Sequence, residues 1–161
     1  MIDAADIEVA CVVSSRPAAR GLERAAAAGI PAAATADEDE TAAFLDEHGV
    51  ELVVLAGYMR ILSERFVGRY SGRIMNVHPS LLPAFPGRTA IADALAHGVR
   101  VTGVTVHLID IEHPQVDSGP IVKQEAVEVP YDGDAGELER RIHEVEHRLL
   151  PQAVREFGTA T

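Results

Sequence analysis

An α/β fold with an open, Rossmann-like, mainly parallel sheet flanked by helices is what this sequence predicts. Three observations carry it: β-branched apolar runs alternate with helix-length segments, glycines close those segments, and the runs are continuous rather than alternating. The first run, Ile7 to Val13, reads as a strand, followed by Ser14-Ser15-Arg16-Pro17 and an Ala-rich helix over Ala18 to Ala28 that ends at Gly29. Ile30 to Ala34 is a short strand, Asp39 to His48 a helix closed by Gly49, and Glu51 to Ala56 a buried strand. A helix over Ser63 to Tyr70 takes Ser63 as its N-cap, Arg73 to Val77 is a strand, and Ala90 to His97 is a helix stopped by Gly98. Val101 to Ile109 and Ile121 to Val129 are two further strands, and Asp134 to Phe157 is a terminal helix expected to bend near Pro151.

Bulk properties narrow the function. The chain has 161 residues, 47% of them hydrophobic, and no low-complexity stretch, which fits one globular domain. Its apolar runs fall far short of the roughly 18 residues of a membrane span. The acidic start Met1-Ile2-Asp3-Ala4-Ala5-Asp6 has no basic region before an apolar core, so the expected location is the cytoplasm. With 25 acidic against 14 basic residues the formal charge is −11, which opposes a nucleic-acid partner. Asp37-Glu38-Asp39-Glu40 reads as a solvated helix start. The single cysteine, Cys11, has no internal disulfide partner and reads as a buried strand residue. Oligomeric state stays open, a homodimer included.

In parallel α/β sheets ligands bind beyond the carboxyl ends of strands, which singles out the loops after Val77 and after Ile109. Asn76 and His78 are two apart on an extended chain and point to the same side. Asn can hold an oxygen, and His can move or stabilise a proton near neutral pH. The following Pro79-Ser80-Leu81-Leu82-Pro83-Ala84-Phe85-Pro86-Gly87 has three prolines in eight residues, so it is a stiffened loop carrying apolar side chains, a wall suited to a flat ligand. An Asn and a His at a strand end are also ordinary turn residues.

The remaining histidines divide by context. His48 and His97 each stand in the last turn of a helix before a glycine, where they complement the helix dipole. His113 lies in a polar loop and is expected to be exposed. His143 and His147 share a helix face four apart, but no third ligand or matching motif supports a metal. His107, inside a strand, is either a hydrogen-bonded core histidine or support for a site nearby. Asp117 stands before Ser118-Gly119-Pro120, a rigid end that fixes a side chain.

Four segments occur in order: Val54-Leu55-Ala56-Gly57-Tyr58-Met59-Arg60-Ile61-Leu62, Asn76-Val77-His78-Pro79-Ser80-Leu81-Leu82-Pro83, Thr102-Gly103-Val104-Thr105-Val106-His107, and Asp117-Ser118-Gly119-Pro120. Together they resemble the signature of the folate-dependent formyltransferases. Phe85-Pro86-Gly87 and Glu146-His147 are similar to the branch of that family acting on glycinamide ribonucleotide. The resemblance implies formyl transfer from 10-formyltetrahydrofolate, as cosubstrate, to the amine of glycinamide ribonucleotide, with no metal. It implies that Asn76 and a protonated His78 stabilise the tetrahedral oxyanion, while Asp117 holds His78 charged and relays a proton. Met59, Arg60, Ile61 and Leu62 would line the pterin pocket, with Phe66 and Val67 as apolar wall, and Glu146 would contact the substrate ribose.

The sequence departs from the family in three ways. The family's first strand and its Gly-Ser-Asn phosphate loop have no counterpart, so the sheet is expected to lack a central strand and the nucleotide its phosphate anchor. The loop Asp110 to Asp117 is a few residues longer than usual. No Lys or Arg occurs between Arg24 and Arg60, so a basic contact to the folate glutamate tail must come from elsewhere. Two other readings remain: formyltetrahydrofolate deformylase, which directs water at the same carbon, and a non-catalytic folate-binding fragment.

Overall fold

In a computed structural model of the chain, described for residues 1–2, 4 and 6–159, the backbone forms two compact units, Met1–Glu51 and Leu52–Thr161. Asp3 and Ala5, part of the acidic N-terminal stretch, lie outside the described residues.

The first unit contains β1 (Val12–Ser14), α1 (Arg20–Ala27), β2 (Ala32–Ala34) and α2 (Glu38–Glu47). The two strands pair in parallel, Val12 opposite Ala32, as a right-handed strand-helix-strand crossover allows. β1 begins at Val12 rather than at Ile7, because only the end of the apolar run has a strand to pair with. Cys11 therefore precedes the strand and is half-buried rather than buried within it, and burial pushes its thiol up from the ordinary value. Asp37 caps α2 by accepting from the amides of Asp39 at 2.8 Å and Glu40 at 3.0 Å, which makes the acidic run a helix start, as expected.

The second unit contains β3 (Val53–Leu55), α3 (Glu64–Arg69), β4 (Ile74–His78), α4 (Ala90–His97), β5 (Val101–Ile109), β6 (Ile121–Glu128) and α5 (Ala135–Thr159). Ser63 caps α3, its hydroxyl accepting from the Phe66 amide at 3.2 Å. Pro151 lies inside α5 without ending it. The sheet order is β3-β4-β5-β6, with β3 and β4 parallel and the two later pairs antiparallel. The strands form two sheets, one of two strands in the first unit and one of four in the second.

The two faces of the four-stranded sheet differ in chemistry. Residues directly opposite in register share a face. One face carries Met75, Val77, Val104, Val106 and Val127, which join Leu138, Ile142, Leu149 and Ala153 of α5 in the main core. Ion pairs Lys123–Glu156 and Arg148–Glu125 bind α5 to β6 on that same face. The other face carries two polar rows across the strands: Asn76 opposite His107, and His78 opposite Thr105, which is opposite Gln124. Gly103 belongs to this face too, where an added Cβ would come within 2.5 Å of the Leu81 side chain.

Ile142 is fully buried beneath the sheet. Replacing it with alanine should cost about 2–5 kcal/mol, read as a lower urea midpoint with an unchanged slope.

Candidate active site

The polar face of the sheet assembles four of the side chains singled out in the sequence. Asn76 and His78 alternate on β4, and His107 faces Asn76 from β5. Asp117 joins them from the loop after β5. Its carboxylate lies 3.4 Å from His78 Nδ1 and 3.6 Å from His107 Nε2, and accepts a hydrogen bond from the Gly87 amide at 2.7 Å. His78 and His107 are 4% and 1% exposed, so the two rings lie away from bulk water, where electrostatic effects are stronger.

Asp117 reaches the cluster by an indirect route. β5 runs antiparallel to β4, so its carboxyl end, Ile109, lies opposite Ile74, at the far end from His78. The loop reaches the site only by folding back across the polar face. Its own bonds shape it: Asp110 accepts from the amides of Glu112 and His113 and from His113 Nδ1, and the Ser118 hydroxyl donates to the carbonyls of Gln115 and His113. His113 is exposed as expected, though it is paired. The Leu108 amide donates to the Pro120 carbonyl, and a Cβ on Gly119 would come within 1.9 Å of the Leu108 carbonyl oxygen. The Ser-Gly-Pro end therefore sits flush against β5, as a rigid anchor for Asp117.

Hydrogen-bond roles follow from the acceptors. A carbonyl can only accept, so His107 donates from Nδ1 to the Leu108 carbonyl at 3.1 Å. Its Nε2 is then free to accept from Asn76 Nδ2, also at 3.1 Å. This bond sets which way the Asn76 amide points. By the same logic His78 donates from Nε2 to the Phe85 carbonyl at 2.9 Å, leaving Nδ1 toward Asp117. Burial pushes the Asp117 carboxyl up, but the Gly87 amide hydrogen bond and the neighbouring His78 ring outweigh it, and the group stays below its ordinary value of 3.8.

Backbone strain concentrates here. Among the described residues, Phe85 (φ 51°) and Asp117 (φ 57°) are the non-glycine residues with positive φ. Such conformations cost about 1–3 kcal/mol each and persist where surroundings over-determine them, commonly at functional sites. In both cases the strained residue delivers a group to His78: the Phe85 carbonyl and the Asp117 carboxylate.

The other expected residues are placed as follows. Leu55 lies opposite Asn76 in parallel register, so the loop carrying Met59, Arg60, Ile61 and Leu62 leaves the sheet at the level of His78. Met59 and Ile61 are 56% and 83% exposed, apolar side chains turned to solvent. Phe66 and Val67 are buried on α3, with Phe66 against Tyr70. Glu146 is half-buried on α5; burial raises its carboxyl despite the opposing charge of His143. No hydrogen bond or ion pair joins it to the four clustered groups among the described residues. His48 and His97 bond carbonyls of their own helices, Phe44 and Asp93. Thr105 and Gln124 were missed; the alternation of Thr105 with His107 along β5 was the available signal.

Comparison with known proteins identifies the family. A formyl transferase family profile matches residues 3–154. The chain belongs to that family. It is 40% identical to phosphoribosylglycinamide formyltransferase of Bacillus subtilis, covering 94% of this chain and 81% of the relative. It is 53% identical over 113 residues to phosphoribosylglycinamide formyltransferase of Mycobacterium tuberculosis, a match that spans 70% of this chain and about half (51%) of that protein. The crystal structure of glycinamide ribonucleotide transformylase 1 from Symbiobacterium toebii superposes with a TM-score of 0.88 at 44% identity, covering 95% of this chain and 75% of that one. A formyltetrahydrofolate deformylase from Pseudomonas syringae pv. tomato shares the fold at a TM-score of 0.84 but 28% identity, covering 93% and 51%.

Because the Asp117 carboxyl is depressed in the folded state, its ionised form contributes stability above the ordinary value of 3.8, lost as pH falls through its lower folded value. Asp117→Asn should therefore melt below the native protein at pH 7. That gap should close as the pH drops below 3.8, measured as Tm against pH.

Proposed function

We propose that this protein transfers a formyl group from 10-formyltetrahydrofolate to the amino group of glycinamide ribonucleotide, a step of purine synthesis carried out in the cytoplasm. The observation that carries the proposal is the cluster of Asn76 and Asp117 with the buried rings of His78 and His107, in a chain of this family.

The reaction asks for what the cluster offers. The substrate amine attacks the formyl carbon, the carbonyl pair moves to oxygen, and a tetrahedral oxyanion forms beside a cationic nitrogen. A proton then leaves that nitrogen for the folate N10, the carbon–N10 bond breaks, and the carbonyl re-forms. Asn76 is the direct oxyanion donor, because His107 takes one amide N–H and no other side-chain bond of Asn76 occurs among the described residues. His78 has Nε2 on Phe85 and Nδ1 toward Asp117. From the orientation that the Phe85 carbonyl sets, its Nε2–H turns to the oxyanion as the new acceptor, with ionised Asp117 supporting the charged ring. Asp117, or water beside it, relays the amine proton.

The loop Met59 to Leu62, at the level of His78, forms the pterin pocket through backbone groups and the exposed Met59 and Ile61 side chains, with Phe66 and Val67 behind it. Glu146 takes the ribose hydroxyls. No metal is required by these steps. Glycinamide ribonucleotide dependence separates this reading from its rivals. Formyl transfer should appear only with that amine present, and Asn76→Ala should lower kcat by about a hundred- to a thousand-fold. Release of formate without the amine would instead identify a deformylase, and folate binding without turnover a binding fragment.

A further inference from the structure

We infer that Thr105, braced by Gln124, is a positioning residue that holds the loop 79–87 in the strained shape that sets the His78 ring. The Thr105 hydroxyl has one donor and two acceptor positions, and all three are used. It donates to the Ser80 carbonyl at 2.7 Å, accepts from the Leu82 amide at 3.0 Å, and accepts from Gln124 Nε2 at 2.9 Å. Gln124 also donates to the Leu82 carbonyl at 2.9 Å. The near half of the loop is thus bound to β5 and β6 at three backbone groups, with Leu81 seated over Gly103 and Leu82 buried.

The far half delivers the groups the cluster uses. The Ala84 amide donates to the Leu81 carbonyl, closing a turn, after which Phe85 presents its carbonyl to His78 and Gly87 its amide to Asp117. Phe85 holds φ 51°, a conformation a phenylalanine leaves unless its surroundings prevent it. Relaxing φ to negative values turns the carbonyl away from His78 Nε2. The clamp at Ser80 and Leu82 is what prevents the near half from shifting to permit that change. Since Thr105 is the register partner of His78, one row of the sheet carries both the ring and the anchor of the loop that orients it.

For its effect on turnover the inference rests on the formyl-transfer reading; for its effect on His78 it does not. The full chain with 15N-labelled histidine reports both. Thr105→Val keeps the shape and removes the hydroxyl, and should lower kcat by about a hundredfold, the loss typical of an ångström-scale misplacement, with the folate KM little changed. It should also move the His78 Nε2 resonance away from that of a carbonyl-bound N–H. Thr105→Ser should restore both. Gln124 is exposed at the sheet edge, so Gln124→Met should fold even where Thr105→Val does not, and should move the same resonance in the same direction by less. An unmoved His78 signal in folded Thr105→Val or Gln124→Met overturns the inference, as does Thr105→Ser failing as badly as Thr105→Val. A native chain with no formyl transfer would sink the functional reading and leave the resonance test intact.

Discussion

The antiparallel register between β4 and β5 is the constraint on which the site depends. It sets Asn76 against His107 and His78 against Thr105, and a slip of one residue would turn every one of these side chains to the opposite face. That register is pinned by the other face, where Met75, Val77, Val104 and Val106 share one hydrophobic core with α5. The hydrophobic core and the polar cluster are thus two sides of one pairing. Burial of a few valines and a methionine, each worth about 1.5–3 kcal/mol, supplies the rigidity that the polar rows borrow.

Upon this frame two loops deliver groups that the strands cannot. Each contains a non-glycine residue forced to positive φ, and each ends in a contact with His78. Strain of this kind is tolerable only with strong anchoring, and both loops show it. One is held by the saturated Thr105 hydroxyl, the other by its internal turns and by Gly119, whose lack of a side chain lets the backbone lie against Leu108. The Gly87 amide on Asp117 joins the two loops, so neither is independent of the other.

Much of this was legible in the sequence. Element order, the Ser63 cap and the glycine stops followed from local chemistry, and the alternation of Asn76 and His78 put them on one side of a strand. Asp117 was singled out by its rigid flank and by resemblance. Its path was not, because strand direction is a property of pairing that β-branched runs do not encode; β5 reads the same whether it runs parallel or antiparallel. For the same reason Thr105 and Gln124 escaped notice, being ordinary strand residues until register lines them up with His78. The start of β1 was misplaced at Ile7, since apolar content there exceeds what the parallel partner can pair. His107 stayed ambiguous between a core histidine and support for a site; in the structure it is buried and bonded to Asn76.

The central claim is that Asn76 and His107 work as one unit across the β4–β5 register. A double-mutant cycle on kcat for formyl transfer tests it most directly, with Asn76→Ala, His107→Phe and the pair combined. If His107 acts by orienting the Asn76 amide, the double variant should lose far less than the product of the two single losses. Losses that multiply would show that the two side chains act separately, and would contradict the assignment of the Asn76 amide as the group that His107 sets.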